Sequence, residues 1–238
     1  MLTFLAEHLP RFASGALITL QYTAISCLLG AILAVPIAFM RLSRKTWGFW
    51  PATVYVFFFR GTPLLAQIFL IYYGSGQFRH ELEAIGLWQF FQQPWFCAIL
   101  TLSLNTAAYS SEIFRGALQA VPRGEIEAAM ALGMSRAQRL YLIVFPRALR
   151  AAWPAYTNEV VYQIQATSLV SIIAVMDITG VARVIASRNF AFYEAFITAA
   201  VFYLAIVYLF LFFAKRVEGR LHAHLEPVQG VGNRIGGH

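Results

Sequence analysis

The chain has 238 residues, of which 59% are hydrophobic, 16% are aromatic and only 12% are charged, and its net charge is +7. A soluble globular protein carries roughly a quarter of charged residues, about twice the share found here. This composition excludes a disordered chain, a nucleic-acid-binding arm and a small secreted disulfide-rich domain. The two cysteines, Cys27 and Cys97, lie in apolar segments and are expected to be buried and unpaired.

The first apolar segment runs from Phe12 to Met40 and contains no charged residue. A helix of about 20 apolar residues crosses a bilayer, and a buried helix of a soluble protein rarely needs so many. The chain is therefore predicted to be an integral membrane protein. The run is too long for a cleaved signal peptide, and no basic segment precedes it, so we expect it to be a retained span.

Further apolar segments follow, and together they predict five spans with the termini on opposite sides of the membrane. Lys and Arg are concentrated after the first span, between the third and fourth, and after the fifth. The positive-inside rule makes those loops cytoplasmic and places the N-terminus outside, so the high net charge reflects topology in a lipid membrane. The predicted transmembrane domain is 1–225, with spans at about 12–40, 51–73, 95–118, 154–175 and 193–214, and a flexible cytoplasmic tail follows at 226–238.

The cytoplasmic loop between the third and fourth spans, 119–153, carries helical signals of its own. Pro122 precedes Glu125, an acidic residue in a first helical turn, where the helix dipole favours it. Apolar residues recur at helical spacing up to Gly133, which can end a helix. Ser135 and Gln138 form a capping-box pattern that starts a second helix. A short amphipathic helix is therefore predicted here, lying either on lipid headgroups or in a groove of a partner protein.

The same loop carries a pattern at fixed spacing, which consists of Glu127-Ala128-Ala129, Gly133, Ile143 and Phe145-Pro146. This pattern resembles the EAA loop of ABC importer permeases, a family that usually has leucine where this chain has phenylalanine before the proline. Four further stretches stand out, Phe59 to Pro63, Leu104 to Thr106, Glu112 to Ala117 and Ala166 to Leu169. They resemble the signatures of polar amino-acid permeases, and residues 10–225 are most similar to membrane subunits of histidine/lysine/arginine and octopine/nopaline uptake systems.

This resemblance implies the fold class, which is all-α and integral to the membrane. Five transmembrane helices and a cytoplasmic coupling helix would form a MetI-like permease of the type I ABC importers. In that family the coupling helix docks on a separate ATPase subunit. The resemblance assigns this role to Glu125, Glu127, Ala128, Ala129 and Gly133.

The resemblance also implies the partners. A cytoplasmic ATPase dimer would bind ATP and Mg, because this chain contains no G-x-x-x-x-G-K-[ST] motif. The chain itself is then expected to be neither an enzyme nor a cofactor-binding protein. A periplasmic substrate-binding protein would deliver the solute at the bacterial inner membrane. One chain lines only half a pore, so we expect a second permease subunit, which is a related chain or a copy of this one.

Polar residues inside the spans need a reason, since a charge in hydrocarbon costs at least about 2.5 kcal/mol. On the third span they share one helix face, and a comparable row lies on the fourth span. The two rows either line a shared aqueous path or hydrogen-bond one another and hold the bundle together. The candidate path residues are Asn105, Tyr109, Glu112, Asn158, Glu159, Tyr162, Gln163, Gln165, Thr167 and Ser168.

A separate charge, Arg60, lies near the middle of the second span, three residues before Pro63. Proline interrupts helical hydrogen bonding, so Arg60 is interpreted either as a residue beside a gate or as a structural charge. Glu112 is its first candidate partner.

Two surface features complete the sequence-based expectations. An amphipathic helix is predicted in the outer loop after the fourth span. It either lies on the membrane surface or receives the binding protein, with Arg79, Arg183 and Arg188 as candidate contacts. His222 and His224 are not neighbours on a helix, so no metal site is expected.

The predicted function is that of the permease subunit of an ATP-driven, binding-protein-dependent amino-acid importer that works by alternating access. The carboxylates of Glu112 and Glu159 favour cationic amino acids, and arginine-derived opines also fit. Neutral polar amino acids such as glutamine are the alternative. A secondary transporter is disfavoured by the odd number of spans without inverted repeats. A membrane enzyme is disfavoured because no span contains a cluster of nucleophilic or metal-binding residues.

Overall fold

The computed structural model describes residues 2–43 and 45–222, and these segments contain helices without β-strands. The predicted tail, 226–238, lies outside the described residues. The all-α architecture predicted from the sequence is confirmed. The α-helices are α1 Leu2–Leu42, α2 Thr46–Gly61, α3 Leu64–Tyr72, α4 Arg79–Ala84, α5 Trp88–Phe91, α6 Pro94–Gln119, α7 Arg123–Ala131, α8 Arg136–Arg139, α9 Phe145–Ala166, α10 Ile178–Asn189 and α11 Phe192–His222. Short 3-10 segments cover Gly74–Phe78 and Thr167–Ile173, and a π-helical turn covers Leu140–Val144.

Among the described residues, two helices are long and apolar enough to cross a membrane alone, Ala6–Leu42 and Phe192–Arg220. Two bent helix pairs, α2 with the helices after it and α9 with α10, bring the number to as many as four. The third predicted span coincides with α6. This helix is less apolar than those two because it contains Ser, Thr and Asn residues, whose side chains are buried along it. Helices α1, α2, α3 and α9 all pack against α6, so this polar helix lies at the centre of the bundle.

The closest approach of α1 to α6 depends on Gly30. A Cβ atom at this position would lie 2.3 Å from Cγ2 of Thr106 and 3.3 Å from the backbone nitrogen of Ala107. Real Cβ atoms do not approach other atoms so closely, so no larger residue fits unless the helices separate. Small residues at helix contacts in membranes allow this kind of backbone proximity.

The segment predicted as the second span, 51–73, is not one helix. Helix α2 ends at Gly61 and α3 begins at Leu64, and the chain turns by 108° between α2 and the helices that follow. Thr62 and Pro63 are extended, with ψ angles of 148° and 134°. The proline has no backbone N–H and disfavours helical geometry in the preceding residue, which explains why the helix stops here.

The fourth predicted span also differs from the observed helix. Pro154 was expected at its start, but α9 begins earlier, at Phe145, and contains Pro154 in its interior. An internal proline removes one hydrogen bond, and packing against neighbouring helices can hold the helix together. Beyond Ala166 the chain tightens into a 3-10 segment, and Ala174 then adopts a left-handed conformation with φ of 66°. The α-helical part of 154–175 therefore ends at Ala166, and a 3-10 helix continues it to Ile173.

Replacing Gly30 with leucine should lower the free energy of unfolding by roughly 1–3 kcal/mol, because overpacking forces α1 away from α6. The matched control is Gly219→Leu, since a Cβ atom at Gly219 would meet no other atom within 4 Å and the residue lies on an exposed part of α11. Denaturant titration of the purified protein in detergent measures both. Equal effects of the two substitutions would contradict the packing role of Gly30.

Candidate functional site

The amphipathic helix predicted in the loop 119–153 is present as α7. Its C-terminus has Gly133 at φ of +75°, a conformation that glycine adopts without strain. The Gly133 N–H donates to the Met130 carbonyl and the Met134 N–H to that of Ala129, which completes a Schellman motif. Ser135 and Gln138 then form the predicted capping box at the start of α8. Hydrogen bonds therefore fix the backbone both where α7 ends and where α8 begins.

One face of α7 packs on the rest of the protein and the other is exposed. Ala129 is buried, and Ile126 packs against a cluster formed by α6 and α9. Glu125 forms an ion pair with Arg147 of α9, with 2.8 Å between Oε1 and Nη2.

The opposite face of α7 is exposed and carries Glu127, Ala128, Met130 and Leu132, of which Leu132 is 82% exposed. Of the residues expected to contact an ATPase, Ala129 and Glu125 thus anchor α7, while Glu127, Ala128 and Gly133 remain accessible.

Asn105 is 2% exposed, and it lies beside the break between α2 and α3. Its Nδ2 donates to Oε1 of Gln67 at 2.9 Å. Gln67 in turn donates to the carbonyl oxygens of Phe59 and Thr62, at 2.9 and 3.1 Å. The Phe59 carbonyl has lost its helical partner because residue 63 is proline. In this conformation Asn105 and Gln67 therefore satisfy backbone groups that the break leaves open.

Two further polar residues of α9 also point into the bundle. Glu159 is buried and accepts a hydrogen bond of 2.8 Å from the Thr106 hydroxyl. Gln163 is fully buried and donates to Ser26 Oγ at 2.9 Å and to the Leu102 carbonyl at 3.3 Å. These bonds join α9 to α6 and α1. Thr167 is buried as well and donates to a carbonyl one turn earlier.

The remaining polar residues of α9 form an exposed row. Asn158, Tyr162 and Gln165 are three or four residues apart, so they lie on one helix face, and all three are exposed. The ring of Tyr162 lies 6.1 Å from that of Tyr109 on α6, which connects the two helices at this surface. Ser168 is half-buried beyond the end of the row. Polar side chains at membrane depth face protein or water rather than lipid.

Glu112 lies at the centre of a charged cluster near the C-terminal end of α6. Arg115 contacts it with two nitrogens, at 3.0 and 2.9 Å, and Arg41 of α1 also hydrogen-bonds to its Oε1. Arg60, the partner suggested by the sequence, is farther away, with 3.9 Å between its Nη1 and Oε2 of Glu112. Its guanidinium carbon lies 5.2 Å from the ring centroid of Tyr109. Arg41 and Arg115 are thus the close partners of this carboxylate.

The amphipathic helix expected after the fourth predicted span is present as α10. Asp177 caps it by accepting a 2.8 Å hydrogen bond from the Gly180 N–H, and it also accepts one from the Tyr203 hydroxyl. Arg183 is exposed but donates to the Ser171 carbonyl at 3.0 Å. This part of the protein is therefore tied to α11 and to the chain that precedes α10.

Sequence reasoning missed several residues that position these side chains. Arg41 was counted only as a basic residue that sets topology, although it bonds Glu112. Gln67 was not considered, but its place four residues after Pro63 is a signal, since a polar side chain there can reach carbonyls freed by the proline. Thr106 was noted only as part of a family stretch, and its hydroxyl bonds a buried carboxylate.

Residues 26–223 match the family described as the binding-protein-dependent transport system inner membrane component. The match covers most of the chain, and the chain belongs to this family. It is a multi-pass membrane permease component of an ABC importer and not an enzyme. This membership confirms the family and the fold class expected from the EAA loop.

Individual relatives agree with the family assignment. The chain is 46% identical to the nopaline transport system permease protein NocM of Agrobacterium fabrum, over 97% of this chain and 93% of that protein. It is 38% identical to the histidine/lysine/arginine/ornithine transport system permease protein HisM of Escherichia coli, over 90% of each. Among solved structures, it resembles a crystal structure of an amino acid ABC transporter with histidines, with a TM-score of 0.82, 30% identity and coverage of 92% of this chain and 97% of that one.

Replacing Asn105 with alanine should lower the free energy of unfolding by about 1–3 kcal/mol, because Gln67 and the Phe59 carbonyl then lose a buried partner. The control is Asn158→Ala, an exposed asparagine for which we expect a change within roughly 0.5 kcal/mol. Denaturant titration in detergent compares them. If Asn105→Ala left stability unchanged and only reduced solute uptake, Asn105 would be a path residue and its structural role would be wrong.

Proposed function

We propose that this chain is a permease subunit for arginine-derived opines or cationic amino acids, fed by a periplasmic binding protein and driven by a separate ATPase. The observation that carries the proposal is the exposed polar row of Asn158, Tyr162 and Gln165 on α9. A row of this kind is unfavourable against lipid, and it suits a water-filled path between two permease subunits. The solute class is supported by the nopaline permease, the relative with 46% identity.

The proposed path uses the polar set of α6 and α9 in two ways. Tyr109, Asn158, Tyr162 and Gln165 line it, together with Ser168 at its outer end. Asn105, Glu159, Gln163 and Thr167 support the helices from behind, since their side chains are buried. Movements during alternating access can still expose Glu159, which lies one residue from the row.

A cationic solute has weaker support from the structure than from the sequence. Glu112 is bonded by Arg41 and Arg115, so its negative charge is balanced within the protein. A balanced carboxylate does not select a cationic solute. Among the described residues, Arg60 attracts Glu159 from beyond ion-pair distance. Glu159 accepts a hydrogen bond from Thr106 and remains a candidate for the positive group of arginine or an arginine-derived opine. Glutamine remains the alternative solute, and the named relatives do not favour it.

Coupling to ATP hydrolysis is assigned to the exposed face of α7. Glu127, Ala128 and Gly133 would enter a groove of the ATPase dimer, which binds ATP and Mg. The ion pair between Glu125 and Arg147 would pass movement of α7 to α9, the helix that carries the polar row. This arrangement requires the loop and the C-terminus to be cytoplasmic and the N-terminus to be outside. The exposed part of α10, including Arg188, is the proposed contact for the binding protein.

A second permease subunit is part of the proposal, and a related but different chain is preferred to a copy. The exposed face of α9 with Tyr109 needs an opposing wall to enclose a solute. The lipid bilayer would surround the remaining faces, such as the apolar surface of α11, which is largely exposed.

The test is uptake of labelled arginine by cells with and without this chain, in the presence of competing solutes. Uptake should depend on the chain, and octopine, nopaline, histidine and lysine should compete, whereas glutamine should not. Uptake that is unaffected by loss of the chain would contradict the proposed solute class. Competition by glutamine alone would favour the neutral amino-acid alternative. The control is complementation with the unsubstituted gene, which should restore uptake.

A further inference from the structure

The charged cluster around Glu112 has an excess of positive charge. Arg41, Arg60 and Arg115 all pair with one carboxylate, that of Glu112, so this cluster of described residues has two more positive than negative charges. Glu159 attracts Arg60 only from beyond ion-pair distance. The Nε atom of Arg41 is also buried without a hydrogen-bond partner in the described part of the chain. An excess of charge in a partly desolvated position is costly unless an anion joins it.

A cavity of about 390 Å³ opens at this cluster between α2 and α6. Its walls include Arg41, Arg60, Tyr109 and Glu112, and it also reaches Thr53 and Gly61. Apart from its chain neighbours and the nearby backbone of α2, no described atom lies within 4 Å of where a Cβ of Gly61 would stand, so the wall is open at the break before Pro63. Tyr109 also lies beside Tyr162 of the exposed row, so the cavity adjoins the proposed path.

Arg60 is the cation that remains available in this cavity. Arg115 is held by two hydrogen bonds to Glu112, and Arg41 is bonded to the same carboxylate. The Arg60 side chain is 44% exposed, and 3.9 Å separates it from Glu112, too long for a hydrogen bond. Stacking on Tyr109 orients the guanidinium and leaves its N–H groups able to donate to a ligand.

We propose that the cavity beside Arg60 binds a carboxylate of the transported solute and favours solutes that carry more than one carboxylate. This inference rests on the proposed function and names the part of the solute that the site recognises. A guanidinium matches a carboxylate with two parallel hydrogen bonds, which an ammonium cannot reproduce. Carboxyalkyl derivatives of arginine have such additional carboxylates, whereas arginine itself has one. The positive end of the same solute then points along the path toward the buried carboxylate of Glu159.

An acidic side chain of the second permease subunit is the other possible counter-ion. It would occupy the cavity in every transport cycle and would act on all solutes alike. The charge excess by itself fits both occupants. The open wall at Gly61 and the adjoining exposed row on α9 favour a small molecule that enters and leaves. The two occupants therefore differ in whether loss of Arg60 discriminates between solutes.

The experiment uses the complete transporter, reconstituted in proteoliposomes with binding protein loaded and in excess. Uptake of arginine, octopine and nopaline is measured for the unsubstituted protein, for Arg60→Gln and for Arg60→Lys. The proposal expects Arg60→Gln to lower octopine and nopaline uptake at least about tenfold more than arginine uptake, as for the loss of a charged hydrogen bond. Arg60→Lys should retain part of the preference. The matched control is Arg216→Gln, which removes another guanidinium stacked on an aromatic ring, that of Phe212, and it should leave the ratio unchanged.

An equal fold loss of uptake for all three solutes would overturn the proposal and favour the partner carboxylate. An unchanged ratio of opine to arginine uptake without any loss would overturn it as well. If the unsubstituted transporter moved none of these solutes, the proposed function itself would fail, which is a different result.

A second variant guards against a general defect in Arg60→Gln. Arg60→Cys is treated with aminoethyl methanethiosulfonate, which restores a cation, or with its neutral ethyl analogue. Cys27 and Cys97 are buried, so the introduced thiol is the accessible one among the described residues. Recovery of opine uptake with the cationic reagent alone supports the proposal, and equal recovery or none with both contradicts it.

Discussion

The need to satisfy polar groups inside a bilayer governs this structure, because hydrocarbon offers them no partner. The break between α2 and α3 is where the need is greatest, since Pro63 leaves a carbonyl without its helical donor. Gln67 of α3 and Asn105 of α6 donate to this carbonyl, that of Phe59, at 2.9 and 3.4 Å. This repair lets a span change direction at membrane depth, and it fixes α2 beside α6. Arg60 and the open cavity at Gly61 are positioned as a result.

The same requirement explains why α6 is central although it is not among the most apolar helices. Its polar side chains bond to α3 and α9, and α1 covers it closely at Gly30. Apolar α1 and α11 supply the long helices that lipid can surround. Among the described residues of α9, the row of Asn158, Tyr162 and Gln165 stays exposed beside Tyr109. The proposed function rests on this surface, because solute and a second subunit could meet there without contact with lipid.

Much of the fold could be predicted from the sequence, and the reasons are local. The long stretch without charged residues predicted α1. Gly133 predicted the end of α7, and Ser135 with Gln138 predicted the start of α8. The division of the polar rows could not be predicted, because the rotation of α9 about its axis depends on packing against α6 and α1. Helical spacing separates the row of Asn158, Tyr162 and Gln165 from the adjacent Gln163, but it does not say which of these faces is buried; the structure buries Gln163 and exposes the row. Of the two close partners of Glu112, Arg115 lies one helical turn away, whereas the pairing with Arg41 depends on how α1 packs against α6.

The central claim is that the row on α9 faces water in the assembled transporter. Single cysteines at Asn158, Tyr162 and Gln165, tested in membranes with a charged, membrane-impermeant thiol reagent, measure this directly. Leu204 of α11, exposed on an apolar helix, is the matched lipid-facing control. The account predicts that the three row positions react much faster than Leu204→Cys, and that their rates change when ATP and loaded binding protein are added. Reaction as slow as at Leu204, with no response to ATP, would contradict it.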